Sequence, residues 1–134
     1  MKIALVPATS LDDPTYARVC RGLARALQKR GHAARAFNPR DRAGIRRFAP
    51  DIVHAHFAGH LPAATRTMLL RAARLVLTFQ DLDHPNHPKR TAAQTRLVST
   101  VVRAARRVTA LTPELSRATL AAYPAARGKL SVIG

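Results

Sequence analysis

The stretch Asp51-Ile52-Val53-His54-Ala55-His56-Phe57, in which apolar residues surround two histidines, predicts a strand. A short helix is predicted before it, from Asp41 to Phe48. After it, Pro62 opens a helical stretch, and Leu75-Val76-Leu77-Thr78-Phe79 forms a second, nearly continuous apolar run. A strand, a helix and a further strand in this order predict parallel strands joined by a right-handed crossover.

The same alternation extends toward the amino terminus. Met1 to Val6 predicts a strand, and Ala33 to Phe37 predicts a weaker one. Between them lies the clearest helix pattern, with Asp13 as its cap, Pro14 in its first turn and Gly31 as its stop. Its predicted inward residues are Tyr16, Val19, Cys20, Leu23 and Leu27. Its opposite face carries Arg18, Arg21, Arg25 and Lys29.

Toward the carboxyl terminus a helix is predicted from Lys89 to Arg107 and a strand from Val108 to Leu111. Thr112-Pro113-Glu114 is the start signal of another helix, and Leu130 to Ile133 predicts a sixth strand. The helix before the fifth strand has Ala93, Leu97, Val101 and Ala104 inward and Arg96, Arg103 and Arg107 on one exposed line. The whole pattern predicts one Rossmann-like α/β domain over residues 1–134, with about six parallel strands and helices on both faces.

Composition restricts the class of protein further. The chain has 134 residues, of which 47% are hydrophobic, so one domain with a normal core is expected. Lys and Arg number 23 against 7 for Asp and Glu, a net charge of +16, which suggests a polyanionic partner. Cys20 is the one cysteine and is expected to pack inward, so a disulfide framework is excluded. The start of the chain differs from a signal peptide, and we expect a cytoplasmic protein that could also bind the inner face of the membrane.

Ligands of parallel sheets collect at the carboxyl ends of the strands. The segments expected there are 7–10, 54–60, 80–87 and 112–114. Neither a Gly-x-Gly-x-x-Gly motif nor a P-loop is present, which disfavours a nucleotide bound in the ordinary dinucleotide manner. Aromatic residues make up 4% of the chain, and no nucleic-acid-binding motif is evident, which disfavours nucleic acid as a partner.

The histidines of these segments allow two interpretations. His54 and His56 lie on one face of a strand and could bind a metal ion together with residues of the next segment, Asp81, Asp83, His84 and His87, whereas His60 only follows the same strand. Alternatively, they are polar residues with hydrogen-bond partners at the sheet edge. We favour the second interpretation and predict no metal and no cofactor.

The basic residues also allow two interpretations. Arg18, Arg21 and Arg25 on the first helix, with Arg96, Arg103 and Arg107 further along, are candidates for contact with an anionic membrane or another polyanion. The alternative is that the charge lies on solvated faces and partly reflects a GC-rich coding background. A non-catalytic basic α/β domain that binds anionic membrane or nucleic acid therefore stays open as a function.

The order of segments resembles the amino-terminal domain of the GT-B glycosyltransferases of family 4. The matching segments are Met1 to Val6, Leu27-Gln28-Lys29-Arg30-Gly31-His32, Pro50 to Phe57, Leu77-Thr78-Phe79-Gln80-Asp81, Val108 to Thr112, and Lys129 to Ile133. The resemblance implies a retaining transfer of a sugar from a nucleotide-sugar donor to an acceptor that is a sugar, a glycan or a lipid-linked molecule. This domain would shape the acceptor side.

The family's donor-binding carboxyl-terminal domain has no counterpart in this chain, so we expect the isolated chain to be inactive unless a separate donor-binding chain completes it. The resemblance assigns catalytic positions to Gln80 and Asp81 and substrate contacts to Thr9, Ser10, His56 and Glu114. This sequence departs from the family in two places. Its first loop lacks the usual glycines, and Gln80 replaces the family histidine that faces the sugar, so it cannot carry a proton at neutral pH. For Gln80 and Glu114, a capping or loop-stabilising role is the alternative.

Overall fold

The computed structural model describes residues 1–7, 11–56, 62–72, 74–80, 85–88 and 91–133, without the side chains of residues 15 and 16. The strands in this part of the chain are β1 (Lys2–Val6), β2 (Ala33–Ala36), β3 (Ile52–His56), β4 (Leu75–Phe79), β5 (Arg107–Ala110) and β6 (Leu130–Val132). The helices there are α1 (Pro14–Lys29), α2 (Arg42–Phe48), α3 (Ala63–Leu70), α4 (Ala92–Ala104) and α5 (Pro113–Ala122), followed by a 3-10 turn at Pro124–Ala126. None of these helices has the length and apolarity needed to cross a bilayer.

The described strands form one parallel sheet in the order β2-β1-β3-β4-β5-β6. The predicted Rossmann-like fold is therefore confirmed. From β1 the chain crosses to β2 on one side of β1, whereas β3, β4, β5 and β6 follow one another on its other side. This reversal places a topological switch point between β1 and β3, where open α/β sheets usually bind ligands at the carboxyl ends of the strands.

The two faces of the sheet are covered differently. On one face, which we call the α1 face, Cys20 and Ala24 of α1 pack on Ile3, Leu5 and Ala34. On the opposite face, the four-helix face, each of the helices α2 to α5 contributes to a larger cluster over the sheet. Its helical members include Ile45, Leu69, Val98, Val101, Val102 and Leu115. This division follows from right-handed crossovers. The connection through α1 runs across the sheet from β1 to β2, whereas the connections through α2 to α5 run in the opposite direction, so their helices lie on the opposite face.

Local signals explain where the helices begin. Thr112 caps α5 by accepting a hydrogen bond from the backbone N–H of Leu115 at 3.1 Å, and Pro113 follows it, as predicted. Gly31, at φ 84°, ends the α1 segment, and the N–H of His32 bonds to the carbonyl of Leu27 as in a Schellman motif. These sequence signals decide local structure because each satisfies backbone groups that a helix end leaves free.

The prediction for α4 was wrong at both ends. The helix begins at Ala92 because Thr91 and Gln94 form a capping box, at 3.1 and 3.0 Å. It ends at Ala104, so Arg107 does not lie on the helix with Arg96 and Arg103. Arg107 is instead the first residue of β5, where the chain has already turned into the sheet.

The predicted inward faces of two helices also need correction. In α4 the buried residues are Val98, Val101 and Val102, whereas Leu97 is 38% exposed and Ala93 and Ala104 are exposed. In α1, Val19 is 47% exposed, whereas Ala17, Cys20 and Ala24 are buried. Small residues at this spacing let α1 lie close to the sheet, so the helix turns its alanines inward rather than its valine.

Lys129 connects the end of α4 to the start of β6. Its Nζ donates to the carbonyl oxygens of Val102 at 2.6 Å, Arg103 at 3.1 Å and Ala105 at 2.8 Å. These carbonyls lie at the carboxyl end of α4, where helix acceptors have no intrahelical partner and the helix dipole favours a cation. Partial burial lowers the pKa of the lysine. The interaction holds α4 against the sheet beside β5 and β6.

Candidate functional site

The candidate site lies where β3 and β4 end. His56 is the last residue of β3, and Gln80 directly follows β4, the neighbouring strand. Because both strands run in the same direction, the two side chains lie at one edge of the sheet, and Gln80 Nε2 lies 3.1 Å from His56 Nδ1. The structure therefore joins two of the predicted site residues by a direct hydrogen bond.

This hydrogen bond determines where the His56 proton lies. An amide nitrogen can only donate, so Nδ1 of His56 accepts, and the proton of the neutral ring is carried by Nε2. His56 is 4% exposed, and Nε2 is buried without a hydrogen-bond partner among the described residues. A buried N–H without a partner is costly, by roughly 1–3 kcal/mol. Nε2 of His56 is thus a buried donor near the carboxyl edge of the sheet whose hydrogen bond is not satisfied by the described residues.

A chain of hydrogen bonds runs across the α1 face beside His56. His54 Nε2 lies 2.6 Å from Thr78 Oγ1, which lies 2.8 Å from Thr109 Oγ1. Thr109 donates to the carbonyl oxygen of Leu77 at 3.3 Å. Each hydroxyl has one proton, so Thr78 donates to Thr109 and accepts from the Nε2–H of His54. The chain fixes the tautomer and orientation of the His54 ring.

Both imidazoles are neutral at physiological pH. Burial lowers the pKa of His56 to about 4, and burial together with the neighbouring His56 lowers the pKa of His54 to about 3. The two rings stack with centroids 4.6 Å apart, so a charge on one ring would raise the cost of a charge on the other. Such rings act as hydrogen-bond donors and acceptors rather than as proton carriers near pH 7. The chemistry of the site suits uncharged hydroxyl groups.

The alternative metal site finds no support in the described residues, in which no three His, Cys, Asp or Glu side chains come together to hold an ion. Of the other proposed ligands, Asp81, Asp83 and His84 lie outside the described part of the chain, whereas His87 is described and half-buried. His54 and His56, the strand pair of that prediction, instead use their described ring contacts for Thr78 and Gln80.

Of the other predicted substrate and catalytic positions, only Glu114 lies within the described part of the chain. Thr9, Ser10 and Asp81 lie outside the described residues. Glu114 is exposed in the first turn of α5, which follows β5. It therefore lies at the same edge of the sheet as His56 and Gln80, just beyond β5, the strand next to β4.

The predicted basic residues do not form one surface. Arg18, Arg21 and Arg25 are exposed on α1, whereas Arg96 and Arg103 are exposed on α4, which covers the opposite face of the sheet. A sixth arginine, at position 107, begins β5 at the amino-terminal edge, away from the candidate site. A flat anionic surface that touches the outer side of α1 cannot touch α4 at the same time.

Sequence reasoning missed Thr78 and Thr109 as members of the site. A signal was present, because both are polar residues inside otherwise apolar strands, and period-two alternation places His54 and His56 on one face. The contact itself depends on the register that pairs His56 with Thr78 and Thr78 with Thr109. Strand order and register are long-range properties that no single segment contains.

A six-stranded parallel sheet with helices on both faces defines the class of this protein as a Rossmann-like α/β domain, and its candidate ligand site lies at the carboxyl edge of the central strands. Comparison with protein families identifies the group within that class. The family model described as Glycosyltransferase Family 4 matches residues 33–134, more than half of the chain, and the chain belongs to this family. The resemblance drawn from the segment order is confirmed. No curated protein matches the chain.

Proposed function

We propose that this domain is the acceptor-side half of a retaining glycosyltransferase that moves a sugar from a nucleotide-sugar donor to a glycan or lipid-linked acceptor. The observation that carries the proposal is the buried Nε2–H of His56, which is held in its donor form by Gln80 and has no partner among the described residues. Family membership supports a sugar-related substrate. A neutral N–H donor at the switch point suits a sugar hydroxyl, which accepts a hydrogen bond without a change of charge.

Each residue has a role in this proposal. His56 donates to an acceptor hydroxyl, and Gln80 positions the ring by donating to Nδ1. In this proposal further polar contacts come from Asp81, which follows β4 in the sequence, from Thr9 and Ser10, which follow β1, and from Glu114 after β5. The donor nucleotide is held by a second domain or chain, because catalysis requires donor and acceptor in one cleft. The domain by itself binds the acceptor but does not transfer sugar.

Acceptor binding can be tested by titrating the full chain with methyl glycosides and oligosaccharides while NMR follows the imidazole nitrogens of His56. A binding sugar is expected to shift the Nε2 resonance and leave Nδ1 bonded to Gln80. The variant Gln80→Glu keeps the shape but replaces the amide donor by an acceptor, so Nδ1 takes the proton and Nε2 loses it. We expect binding to weaken about tenfold or more.

The matched control is His32→Gln, which changes a half-buried histidine at the end of α1 and should bind sugars as the wild type does. Transfer itself is tested by adding a family donor-binding half and measuring nucleotide release from a panel of nucleotide sugars. The proposal fails if no sugar shifts the His56 resonance and no donor half restores transfer.

A second candidate function is docking of α1 on an anionic membrane. The observation that favours it is a row of exposed cations, Arg18, Arg21, Arg25 and Lys29, on the side of α1 that faces away from Cys20 and Ala24. No acidic residue occurs within α1. Each cation near an anionic surface contributes on the order of 1 kcal/mol. This function is compatible with the first, because a lipid-linked acceptor would be reached from the membrane surface.

Docking predicts that Arg18→Gln, Arg21→Gln and Arg25→Gln together weaken sedimentation with phosphatidylglycerol vesicles by on the order of 100-fold. The matched control, Arg96→Gln with Arg103→Gln, removes exposed charge from the opposite face and should reduce binding far less. Binding should also fall as salt is raised. Equal losses in the two sets of variants would show that net charge, and not α1, attracts the vesicles.

A further inference from the structure

A cavity of about 290 Å³ lies between the edge strand β2 and the helix α2. It is lined by Arg35, Phe37, Asp41, Gly44, Arg47 and Phe48, and we call it the β2–α2 pocket. Phe37 belongs to the cluster on the four-helix face, whereas His54 and His56 lie on the α1 face and two strands away from β2. The pocket is therefore separate from the candidate acceptor site.

Two guanidinium groups line this pocket. The Arg35 guanidinium carbon lies 5.3 Å from the centre of the Phe37 ring, which is 3% exposed and packs at 5.3 Å on the ring of Phe48. This cation–π contact keeps the Arg35 guanidinium above the Phe37 ring, which is itself packed on Phe48. Among the described residues, no carboxylate forms an ion pair with Arg35 or with Arg47. Both cations are thus available to an anionic ligand.

Asp41 is the carboxylate of the pocket lining, and one of its two oxygens already caps helix α2. Its Oδ1 accepts a hydrogen bond from the Gly44 backbone N–H at 2.8 Å and caps α2. Gly44 permits this position, because a Cβ at residue 44 would collide with the Asp41 carboxylate. The remaining acceptor atom, Oδ2, can take a hydrogen bond from a ligand hydroxyl. With two positive groups and one negative group, the lining keeps a net positive charge.

We propose that the β2–α2 pocket binds a phosphomonoester group. Guanidinium forks match the geometry of phosphate oxygens, and two of them compensate most of the charge of a phosphomonoester near pH 7. The carbon atom that bears the phosphate would lie against the Phe48 ring, and a protonated or hydroxyl oxygen of the ligand would donate to Asp41. The volume corresponds to roughly ten waters and is at the lower end for small-molecule pockets, which suits one small phosphorylated group.

The experiment is a titration of the full chain with glycerol 3-phosphate at constant ionic strength, followed by the backbone amide resonances. We expect saturable shifts at residues 35–37 and 41–48. The variants Arg35→Gln and Arg47→Gln should each weaken binding about tenfold. The matched control Arg46→Gln removes an exposed arginine that precedes Arg47 in α2 but does not line the pocket, and should leave the affinity unchanged.

The source of the group is tested by displacing glycerol 3-phosphate with vesicles. Displacement by phosphatidic acid vesicles, but not by phosphatidylcholine vesicles, would assign the phosphomonoester to a lipid headgroup, and no displacement would assign it to a free ligand. Both results support the binding of a phosphomonoester in the β2–α2 pocket. The proposal is overturned if glycerol binds as well as glycerol 3-phosphate, if Arg46→Gln weakens binding as much as Arg47→Gln, or if the shifts spread without saturation over α1 and α4.

Discussion

The two faces of the sheet contain side chains that are equally buried but chemically different. On β4, Leu77 and Phe79 are 1% and 2% exposed on the four-helix face, and Thr78 between them is 4% exposed on the α1 face. Leucine and phenylalanine pack on the helices α2 to α5, whereas Thr78 bonds to His54 and Thr109. Burial alone does not select apolar residues here. Thr78 is buried together with hydrogen-bond partners for its hydroxyl.

The two faces therefore contribute different properties to the domain. Apolar burial contributes about 25 cal/mol per Å² of area removed from water, whereas a hydrogen bond contributes a net 0.5–1.5 kcal/mol. Most of the stability should reside in the four-helix face, and the α1 face should hold ring orientations at the candidate site. Four measurements test whether stability and ring orientation are divided between the two faces in this way.

The largest effect is expected for Leu77→Ala on the four-helix face. The substitution removes a fully buried side chain from the main cluster and leaves a cavity, so the free energy of unfolding should fall by about 2–5 kcal/mol. Urea denaturation followed by circular dichroism measures the change. A loss smaller than that of Thr78→Val would contradict the assignment of stability to this face.

The next effect concerns pH and the α1 face. The pKa values of His54 and His56 are about 3 and about 4 in the folded chain, below the unfolded value of 6.5, so between these values the unfolded state binds more protons. Stability should be full above about pH 6.5 and should fall as the pH decreases toward 4. Between pH 7 and pH 5.5 the loss should be on the order of 2–3 kcal/mol.

Denaturation curves at several pH values measure this loss. The control is the double variant His54→Gln with His56→Gln, which has neither imidazole and should show a much flatter dependence. If the wild type and this variant depend on pH equally, the imidazoles are not the groups responsible.

A smaller effect is expected for Thr78→Val, which keeps the shape but removes the central hydroxyl of the chain. The Nε2–H of His54 then loses its acceptor and the Thr109 hydroxyl loses its donor, at a cost of about 1–3 kcal/mol. Imidazole NMR should also show that the His54 tautomer is no longer single. Thr95→Val, which changes an exposed threonine bond within α4, is the control and should cost less. Equal costs would mean that the hydroxyl chain does not order the α1 face.

The smallest effect is expected for Lys129→Met. This lysine is a polar contact at the end of α4, so its removal tests whether hydrogen bonds matter on the four-helix side too. The carbonyls of Val102 and Ala105 would lose a charged donor, and we expect a loss of about 1 kcal/mol. Arg127→Gln removes a nearby exposed charge and should leave the unfolding free energy nearly unchanged. Identical results for the two variants would show that the helix end does not depend on Lys129.

Sequence analysis predicted those elements that depend on local chemistry. The bounds of β4 agree with the apolar run Leu75 to Phe79, and α5 begins after the predicted Thr112 and Pro113. The errors arose where tertiary packing decided the outcome, as when α1 turned Ala17 and Ala24 inward instead of Val19. Hydrophobic spacing cannot rank a small residue above a larger one, although close helix–sheet packing does.

The candidate site was predictable only in part, because its residues can be placed from the sequence but their contacts depend on strand order. His56 and Gln80 were assigned to the same sheet edge because parallel strands end together, but their hydrogen bond depends on the pairing of β3 with β4. The hydroxyl chain needs β5 in addition, since Thr109 comes from the third strand of the set. Neighbours that are 24 and 31 residues apart along the chain come together through strand order alone.

The unequal covering of the sheet also has a consequence for how this domain can change during evolution. Residues that stabilise the fold lie mainly under α2 to α5, whereas Gln80 and Glu114 lie at the ends of strands and at the start of a helix. If the proposed function holds, substitutions at these two positions would alter ligand preference and leave the main core intact. A lineage, or a randomised library, could therefore explore new specificities at this edge while the scaffold keeps its tolerance to mutation.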